Sequence, residues 1–300
     1  MGSQKKQDYQ QKKRVDSIFD LIEEGAAEEL LELSEKTEIA YLSEFEGEAM
    51  EYIKNGDKYM GLSTGYEGVD KLLGSFLPGE LLTIGGDTGH GKSLFAMNIA
   101  QNVYQKTQLP VLMVNLELTR YQAVQRFYNL APDHDYAGIM IQRSPAVSYR
   151  DIDVLMERAK AEGACMVVID HLHFFSRSAD KEHQELSRIT KHFKECAVQR
   201  ELPVILLSHV TPTRIMAPDG TVKKEYKPGL HNLKGSSSIE QDSDMVGFVY
   251  RKEGSSEVEF YLKKNRSRPL NPQSTHLKQK GWLLEEEKSW VPQNLPQFGE

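Results

Sequence analysis

One eight-residue segment constrains the fold of this chain more than any other feature of its sequence. It matches the pattern GxxxxGK[ST] and consists of Gly86, Asp87, Thr88, Gly89, His90, Gly91, Lys92 and Ser93. An apolar, strand-forming run precedes it and a helical periodicity follows, which is the context that a phosphate-binding loop requires. Glycines let backbone N–H groups turn toward a phosphate, and the helix N-terminus adds its positive dipole end. The segment therefore predicts a site for a nucleoside triphosphate.

The phosphates and the metal ion of the nucleotide have predicted partners in Lys92, Ser93 and Asp170. The Lys92 ammonium is expected to neutralise β- and γ-phosphate oxygens, and the Ser93 hydroxyl is expected to bind Mg²⁺. The apolar run 166–169 ends in Asp170, so this carboxylate fits the acid that serves the same metal. The predicted cofactors are ATP and Mg²⁺.

Glu117 and His209 are candidates for the hydrolytic step. Glu117 lies at the end of the predicted strand segment 111–116 and could orient the attacking water. His209 follows the run 204–207 and could hydrogen-bond the γ-phosphate and report its loss. On the residues alone, Glu117 could equally be a helix cap and His209 an ordinary polar residue at a strand end.

The apolar runs alternate with helical stretches from about residue 61 onward. Predicted strands cover 81–84, 111–114, 166–169 and 204–207, and predicted helices cover 93–107, 119–130, 151–162 and 183–200. Each strand is apolar on both faces, as in a parallel sheet covered on both sides. The pattern predicts an α/β fold, a mostly parallel sheet with helices on both faces. An antiparallel hairpin is predicted at its end, from 245–250 and 258–262.

The net charge of −7 belongs to one end of the chain. Residues 1–60 hold 8 Lys and Arg against 15 Asp and Glu, whereas the remaining residues hold 29 of each. We predict a polar tail over 1–14, an acidic helical arm over 15–60 whose apolar stripe needs another surface, a nucleotide-binding domain over 61–290 and a tail over 291–300.

A basic stretch of irregular composition follows His209. Residues 210–236 lack an apolar period and are predicted to form a long loop, which in a compact domain is usually functional or disordered. Its cations are Arg214, Lys223, Lys224, Lys227 and Lys234. By themselves they fit a solvated loop as well as a loop that binds nucleic acid.

The cysteines and the hydropathy point to a reduced, cytoplasmic protein. Cys165 and Cys196 belong to no CxxC and to no Cys/His cluster with metal-ligand spacing, so both are predicted to be buried thiols. No apolar run approaches the roughly 18 residues of a membrane span, and the N-terminus lacks a hydrophobic signal core.

Several motifs together resemble the RecA-type motor domain of DnaB-type replicative helicases. The stretches 61–66, 69–70 and 77–81 resemble the beginning of that domain. The phosphate loop and the stretches 115–118, 168–172 and 233–244 then follow in the family's order. The similarity covers about 61–285, and the last stretch is its most diagnostic part because nucleotide binding does not demand it.

The resemblance implies a hexameric, ATP-dependent helicase that moves 5′ to 3′ on single-stranded DNA during replication. It implies that Glu117 is the catalytic glutamate and that Lys264 and Arg266 reach the nucleotide of a neighbouring subunit. It implies that the basic loop lines a central channel and grips DNA phosphates. A primase or loader is a further implied partner. The primase or collar domain that usually precedes the motor is expected to be missing, with the arm in the place of the family's linker helix.

Two other functions compete with this one. A RecA-fold ATPase of the recombination or clock-protein kind would share the phosphate loop and Glu117 without unwinding DNA. A protein that joins the ring of another helicase would hydrolyse little ATP by itself. The stretch 239–244 and the Lys264/Arg266 pair argue against the first of these.

Overall fold

The structure, a computed structural model, describes residues 41–47, 50, 61–74, 76–130, 132–133, 135–142, 148–175, 182–211, 214–216, 222–233 and 236–286. The chain divides into two compact units, Met1–Tyr59 and Met60–Glu300. In the first unit the described residues form a short 3-10 helix, Leu42–Phe45. The predicted tails and most of the predicted arm lie outside the described residues.

A single sheet organises the second unit. In the described residues its strands are β1 (Leu81–Gly86), β2 (Val111–Asn115), β3 (Ile139–Ile141), β4 (Met166–Asp170), β5 (Val204–His209), β8 (Met245–Tyr250), β9 (Glu257–Asn265), β10 (Ser274–Lys280) and β11 (Leu283–Glu286). Their order is β11-β10-β9-β8-β1-β5-β4-β2-β3. The neighbours from β8 to β3 are parallel, and β8 through β11 pair antiparallel.

Helices cover both faces of this sheet. They are α1 (Glu67–Leu73), α2 (Lys92–Thr107), α3 (Arg120–Leu130), α4 (Ile152–Ala161), α5 (Glu182–Arg200) and α6 (Ser236–Asp242). Successive side chains of a strand point to opposite faces, and β4 shows this: Val168 packs in the core with α2, whereas Ile169 packs in the core with α4 and α5. None of the described helices is long and apolar enough to cross a membrane.

The predicted α/β fold is confirmed, including the strands around the nucleotide motifs and the antiparallel pair β8 and β9. The sequence analysis missed α1, β3, β10 and β11. Strand β3 has three half-buried residues, and β10 mixes polar and apolar residues. The apolar run of β3 is only three residues long, which is too short to identify a strand, and β10 has no continuous apolar run.

The prediction of an irregular loop over 210–236 was wrong in part. Residues Arg214–Met216 (β6) and Val222–Glu225 (β7) pair antiparallel in a small sheet of their own, and α6 begins at Ser236. Segments of three and four residues are too short to show an alternating pattern, so only their mutual pairing identifies them as strands.

Candidate nucleotide-binding site

The phosphate loop connects β1 to α2 and turns on two glycines. Gly89 and Gly91 have φ angles of 82° and 94°, which glycine adopts without steric cost. Helix α2 begins directly afterwards at Lys92, so its first N–H groups face the loop. This is the geometry by which a helix N-terminus binds a phosphate group.

The Lys92 side chain lies inside the loop. Only 6% of it is exposed, and its Nζ donates hydrogen bonds to the backbone oxygens of Gly86 and Asp87 at 2.8 and 3.0 Å. Burial lowers the pKa of Lys92, while the nearby carboxylates of Asp170, Asp87 and Glu117 act in the opposite direction. The ammonium is thus held where a nucleotide phosphate would be its natural counter-ion.

Asp170 and Ser93 form the candidate metal site. Asp170 ends β4 and is almost fully buried, its Oδ2 accepts a hydrogen bond from Asn115 Nδ2 at 2.9 Å, and its carboxylate is bonded by the Ser93 side chain. Burial, opposed by that bond and reinforced by Glu117, raises the pKa of Asp170 to about 6. A hydroxyl beside a carboxylate is the hard oxygen donor set that Mg²⁺ prefers, so these residues fit the predicted metal.

Glu117, His171 and His209 form a compact cluster at the same edge of the sheet. Glu117 Oε1 lies 2.8 Å from His171 Nε2 and 3.9 Å from His209 Nε2. The two imidazole Nε2 atoms are 2.8 Å apart. Because a carboxylate only accepts hydrogen bonds, an imidazole N–H must point at Glu117. Glu117 is thus oriented by a histidine, as a base that positions a water must be.

The strand order explains why these residues meet. In the sheet β1, β5, β4 and β2 are parallel neighbours, so their carboxyl ends lie at one edge, where α/β folds bind ligands. Gly86 pairs in register with His209, and Asn115 pairs with Asp170. The structure therefore brings together the phosphate loop, Asp170, Glu117 and His209 at one edge of the sheet.

Asn115 and His171 were not identified by sequence reasoning. Asn115 Oδ1 accepts hydrogen bonds from the N–H groups of Glu117 and Leu118, both at 3.0 Å, and so fixes the turn that carries Glu117. Their signal was present, because each lies within two residues of a predicted site carboxylate.

Arg251 is a third residue that sequence reasoning missed. It follows β8, and a Cβ atom on Gly91 would lie 3.0 Å from its Nη2. Within the described part of the chain, its buried Nε and Nη2 atoms have no hydrogen-bond partner. Burial lowers the pKa of this guanidinium. An anionic ligand such as a phosphate would supply the hydrogen-bond acceptors that these guanidinium atoms lack.

Lys264 lies on β9 and Arg266 directly follows that strand, and both side chains lie beside the C-terminal end of α6. Lys264 Nζ donates to the backbone oxygen of Ser243 at 2.7 Å and to that of Glu240. Arg266 Nη1 lies 3.4 Å from Asp244 Oδ1. These contacts fix the pair within its own chain, and its predicted reach into a neighbouring subunit stays a prediction.

The five predicted DNA-binding cations differ in where they lie. Lys227 Nζ lies 2.6 Å from Glu259 Oε2 and 6.0 Å from the ring centres of Tyr250 and Tyr261, so Lys227 already has a partner in the chain. Arg214 lies on β6, and Lys223 and Lys224 lie on β7. Lys234 lies outside the described residues.

Comparison with known proteins decides the family. The model of the family described as "DnaB-like helicase C terminal domain" matches residues 61–133 and 128–280. The chain belongs to this family. The resemblance that the sequence motifs indicated is therefore confirmed.

Two bacterial replicative helicases are similar in sequence to this chain. "Replicative DNA helicase DnaB" of Geobacillus stearothermophilus is 30% identical over 258 residues, which is 74% of this chain and 56% of that protein. "Replicative DNA helicase DnaC" of Bacillus subtilis is 28% identical over 70% of this chain and 53% of that protein. The chain thus spans about half the length of these relatives.

Solved structures of an ATPase domain, a helicase and a recombinase share the fold. The ATPase domain superposes with a TM-score of 0.71 at 20% identity, covering 84% of this chain and all of that one. A DnaB-like replicative helicase solved in a study of its interactions with primase gives 0.66 at 21% identity, covering 94% of this chain and 78% of that one. The RadB recombinase gives 0.54 at 17% identity over 76% of this chain and 100% of its own. Because a helicase and a recombinase both share this fold, the fold alone does not distinguish between the two functions.

Proposed function

We propose that this chain is the motor of a replicative DNA helicase, which hydrolyses ATP with Mg²⁺ to move along single-stranded DNA. The observation that carries the proposal is the convergence of Lys92, Asp170 and Glu117 at one sheet edge in a chain of the DnaB-like family. Membership of the family favours unwinding over the activities of other RecA-like ATPases.

The first group of residues would bind and orient the nucleotide. Lys92 would exchange its backbone acceptors in the loop for β- and γ-phosphate oxygens, and Arg251 would add a second cation beside Gly91. Ser93 and Asp170 would hold Mg²⁺, which when bound neutralises charge on the phosphates. Since phosphoryl transfer needs mainly positioning and charge stabilisation, these contacts supply much of the catalysis.

The second group would act on the attacking water. Glu117 would accept a proton from a water in line with the γ-phosphate, while the imidazole N–H of His171 holds the carboxylate at 2.8 Å. His209 is the last residue of β5, and its Nε2 lies 2.8 Å from that of His171. It would therefore transmit the loss of the γ-phosphate to the basic segment that begins after residue 209.

We further propose that the active form is a hexameric ring around DNA. Arg266 would then stabilise the transferring phosphate of a neighbouring subunit. Cations of β6 and β7, Arg214, Lys223 and Lys224, would line the channel together with Lys234. A primase or a loader remains a proposed partner.

The purified chain tests this function directly. We expect ATP hydrolysis that single-stranded DNA stimulates, and displacement of one strand from a forked duplex, with Lys92→Ala inactive in both assays. Stimulated hydrolysis without strand displacement would favour a recombinase-like ATPase. Negligible hydrolysis at saturating DNA would instead favour a protein that joins another helicase's ring.

A further inference from the structure

A second group of reactive side chains lies between α4 and α5, and it shares no residue with the nucleotide site. It consists of Asp153 in the first turn of α4 and of His192 and Cys196 on α5. Residues four apart on a helix share one face, so His192 and Cys196 both point at Asp153. We refer to these three residues as the α4–α5 cluster.

The polar atoms of the α4–α5 cluster converge on one point. His192 Nε2 lies 2.7 Å from Asp153 Oδ2 and 3.9 Å from Cys196 Sγ. Cys196 Sγ lies 3.3 Å from Asp153 Oδ1. One ligand atom from each residue can be chosen so that the three lie within 4.8 Å of one another.

This arrangement does not suit a nucleophilic triad. In such a triad the two imidazole nitrogens face opposite ways, one toward the nucleophile and one toward the carboxylate. Here the same nitrogen, Nε2, faces both Cys196 and Asp153. Only 1% of Cys196 is exposed, so a substrate could not reach its sulfur. Convergence of a sulfur, a nitrogen and an oxygen is instead the arrangement of a chelate.

We propose that the α4–α5 cluster binds a divalent transition-metal ion of the zinc class through Cys196, His192 and Asp153, with water as the fourth ligand. A tetrahedral zinc ion with bonds of about 2.0–2.3 Å holds its ligand atoms about 3.3–3.6 Å apart. With Asp153 Oδ2 as the oxygen ligand, the Nε2–Oδ2 separation of 2.7 Å and the Nε2–Sγ separation of 3.9 Å lie on either side of this range. Asp153 is half exposed, which leaves the water position open to solvent.

The neighbours of the cluster support the ligands from outside. Arg200 Nη2 lies 3.3 Å from Asp153 Oδ1, which leaves Oδ2 to face His192. His192 Nδ1 lies 3.7 Å from Glu195 Oε2. A carboxylate behind the second nitrogen of a metal-binding imidazole makes the ring a better ligand. At 3.7 Å Glu195 would do so through its charge, since the distance is too long for a hydrogen bond. The ring of Tyr149 packs 4.9 Å from that of His192.

Metal binding here must displace a proton. Cysteine binds such an ion as the thiolate, so Cys196 must lose its S–H proton. The ion forms a metal–sulfur bond while the thiol proton leaves to solvent, and no electron is transferred. The bound ion would tie α4 to α5 and stabilise the folded chain, because the unfolded chain lacks the preformed site.

Cobalt(II) provides a direct test on the full-length chain. Titration in the absence of nucleotide and Mg²⁺ is expected to give a thiolate-to-cobalt charge-transfer band that saturates at one equivalent and is lost on adding zinc. The cluster of Glu117, His171 and His209 contains no sulfur, so it cannot produce this band. Cys196→Ala should abolish the band, and Cys165→Ala, which removes the other thiol of the chain, should leave it unchanged.

Two exposed positions keep the test independent of folding in the core. Asp153→Asn keeps the size of the side chain but weakens the ligand, and Glu195→Gln removes the charge behind His192. We expect Glu195→Gln to weaken cobalt binding about tenfold and Asp153→Asn to weaken it further. Absence of the band in the unsubstituted chain, or its survival in Cys196→Ala, would overturn the proposal. So would an affinity unchanged by Asp153→Asn.

Discussion

The Glu117 carboxylate and the His171 imidazole face each other at 2.8 Å across the carboxyl ends of two adjacent strands. Glu117 follows β2 and His171 follows β4, and these strands are parallel neighbours in the sheet. The contact therefore depends on the sheet order, and it assigns different roles to two residues that are 54 positions apart in the sequence. Glu117 is the proposed base, and His171 is a positioning residue.

Replacing Glu117 with Gln should separate binding from hydrolysis. The amide cannot accept the proton of the water, so we expect kcat for ATP to fall about 10²–10⁴-fold, with nucleotide affinity kept within about twofold of the starting value. ATPase assays and equilibrium binding of a fluorescent ATP analogue measure the two quantities. Glu253→Gln, an exposed substitution in the β8–β9 turn, is the matched control. Near-normal turnover of the Glu117 variant would remove it as the base.

Replacing His171 with Ala should lower kcat without raising KM for ATP. The carboxylate keeps its basicity but loses a hydrogen bond to a charged group, worth about 1.5–3 kcal/mol, so a fall of about 10–100-fold is expected. His183→Ala, at an exposed site on α5, should have no effect. An increase in KM with kcat unchanged would show instead that His171 acts in binding.

Replacing Arg251 with Met should weaken nucleotide binding. Met fills similar space but cannot pair with a phosphate, so we expect KM for ATP to rise about tenfold or more from the loss of a charge-assisted hydrogen bond. Lys252→Met at the exposed neighbouring position controls for charge. An unchanged KM would show that Arg251 does not contact the nucleotide. In that case the variant should also be more stable, because burying a guanidinium without a partner costs folding free energy.

Replacing Asp244 with Ala should destabilise the domain. Asp244 is almost fully buried, and its Oδ2 accepts hydrogen bonds from Lys194 Nζ at 2.6 Å and from the N–H of Leu81 at 2.8 Å. Removing it leaves the N–H of Leu81 without this acceptor and Lys194 without its counter-ion, although Lys194 Nζ keeps the backbone oxygen of Gly79. The free energy of unfolding should therefore fall by about 3 kcal/mol. Asp242→Ala, two residues earlier and less buried, should cost less than about 1 kcal/mol. Urea unfolding of both variants makes the comparison.

Mixing two inactive variants tests the role of Arg266 across an interface. Arg266→Ala subunits keep an intact phosphate loop, and Lys92→Ala subunits keep Arg266, so mixed rings should regain part of the ATPase activity. Each variant alone should stay below about a tenth of the activity of the unsubstituted chain. Because Arg266 also contacts Asp244 in its own chain, thermal unfolding of Arg266→Ala is measured in parallel. Failure to regain activity in a folded mixture would contradict action between subunits.

The nucleotide motifs and the central strands could be predicted because their signals are local. The segment from Gly86 to Ser93 specifies a turn and a helix start through glycine conformations and adjacent residues. The apolar runs specify strands that must be covered on both faces. The edge strand β11 and its neighbour β10 could not be predicted in this way, because pairing with a neighbour, rather than composition, defines them as strands.

Sequence alone therefore determined the type of fold, the phosphate loop and the carboxylates that serve it, because backbone conformation and burial period are encoded in neighbouring residues. Tertiary structure decided which distant side chains meet. It placed His171 against Glu117 and Arg251 against the phosphate loop, and it packed Asp153 against His192 and Cys196 on another helix. Spacing along the chain carries no information about such contacts, because they arise from strand order and helix packing.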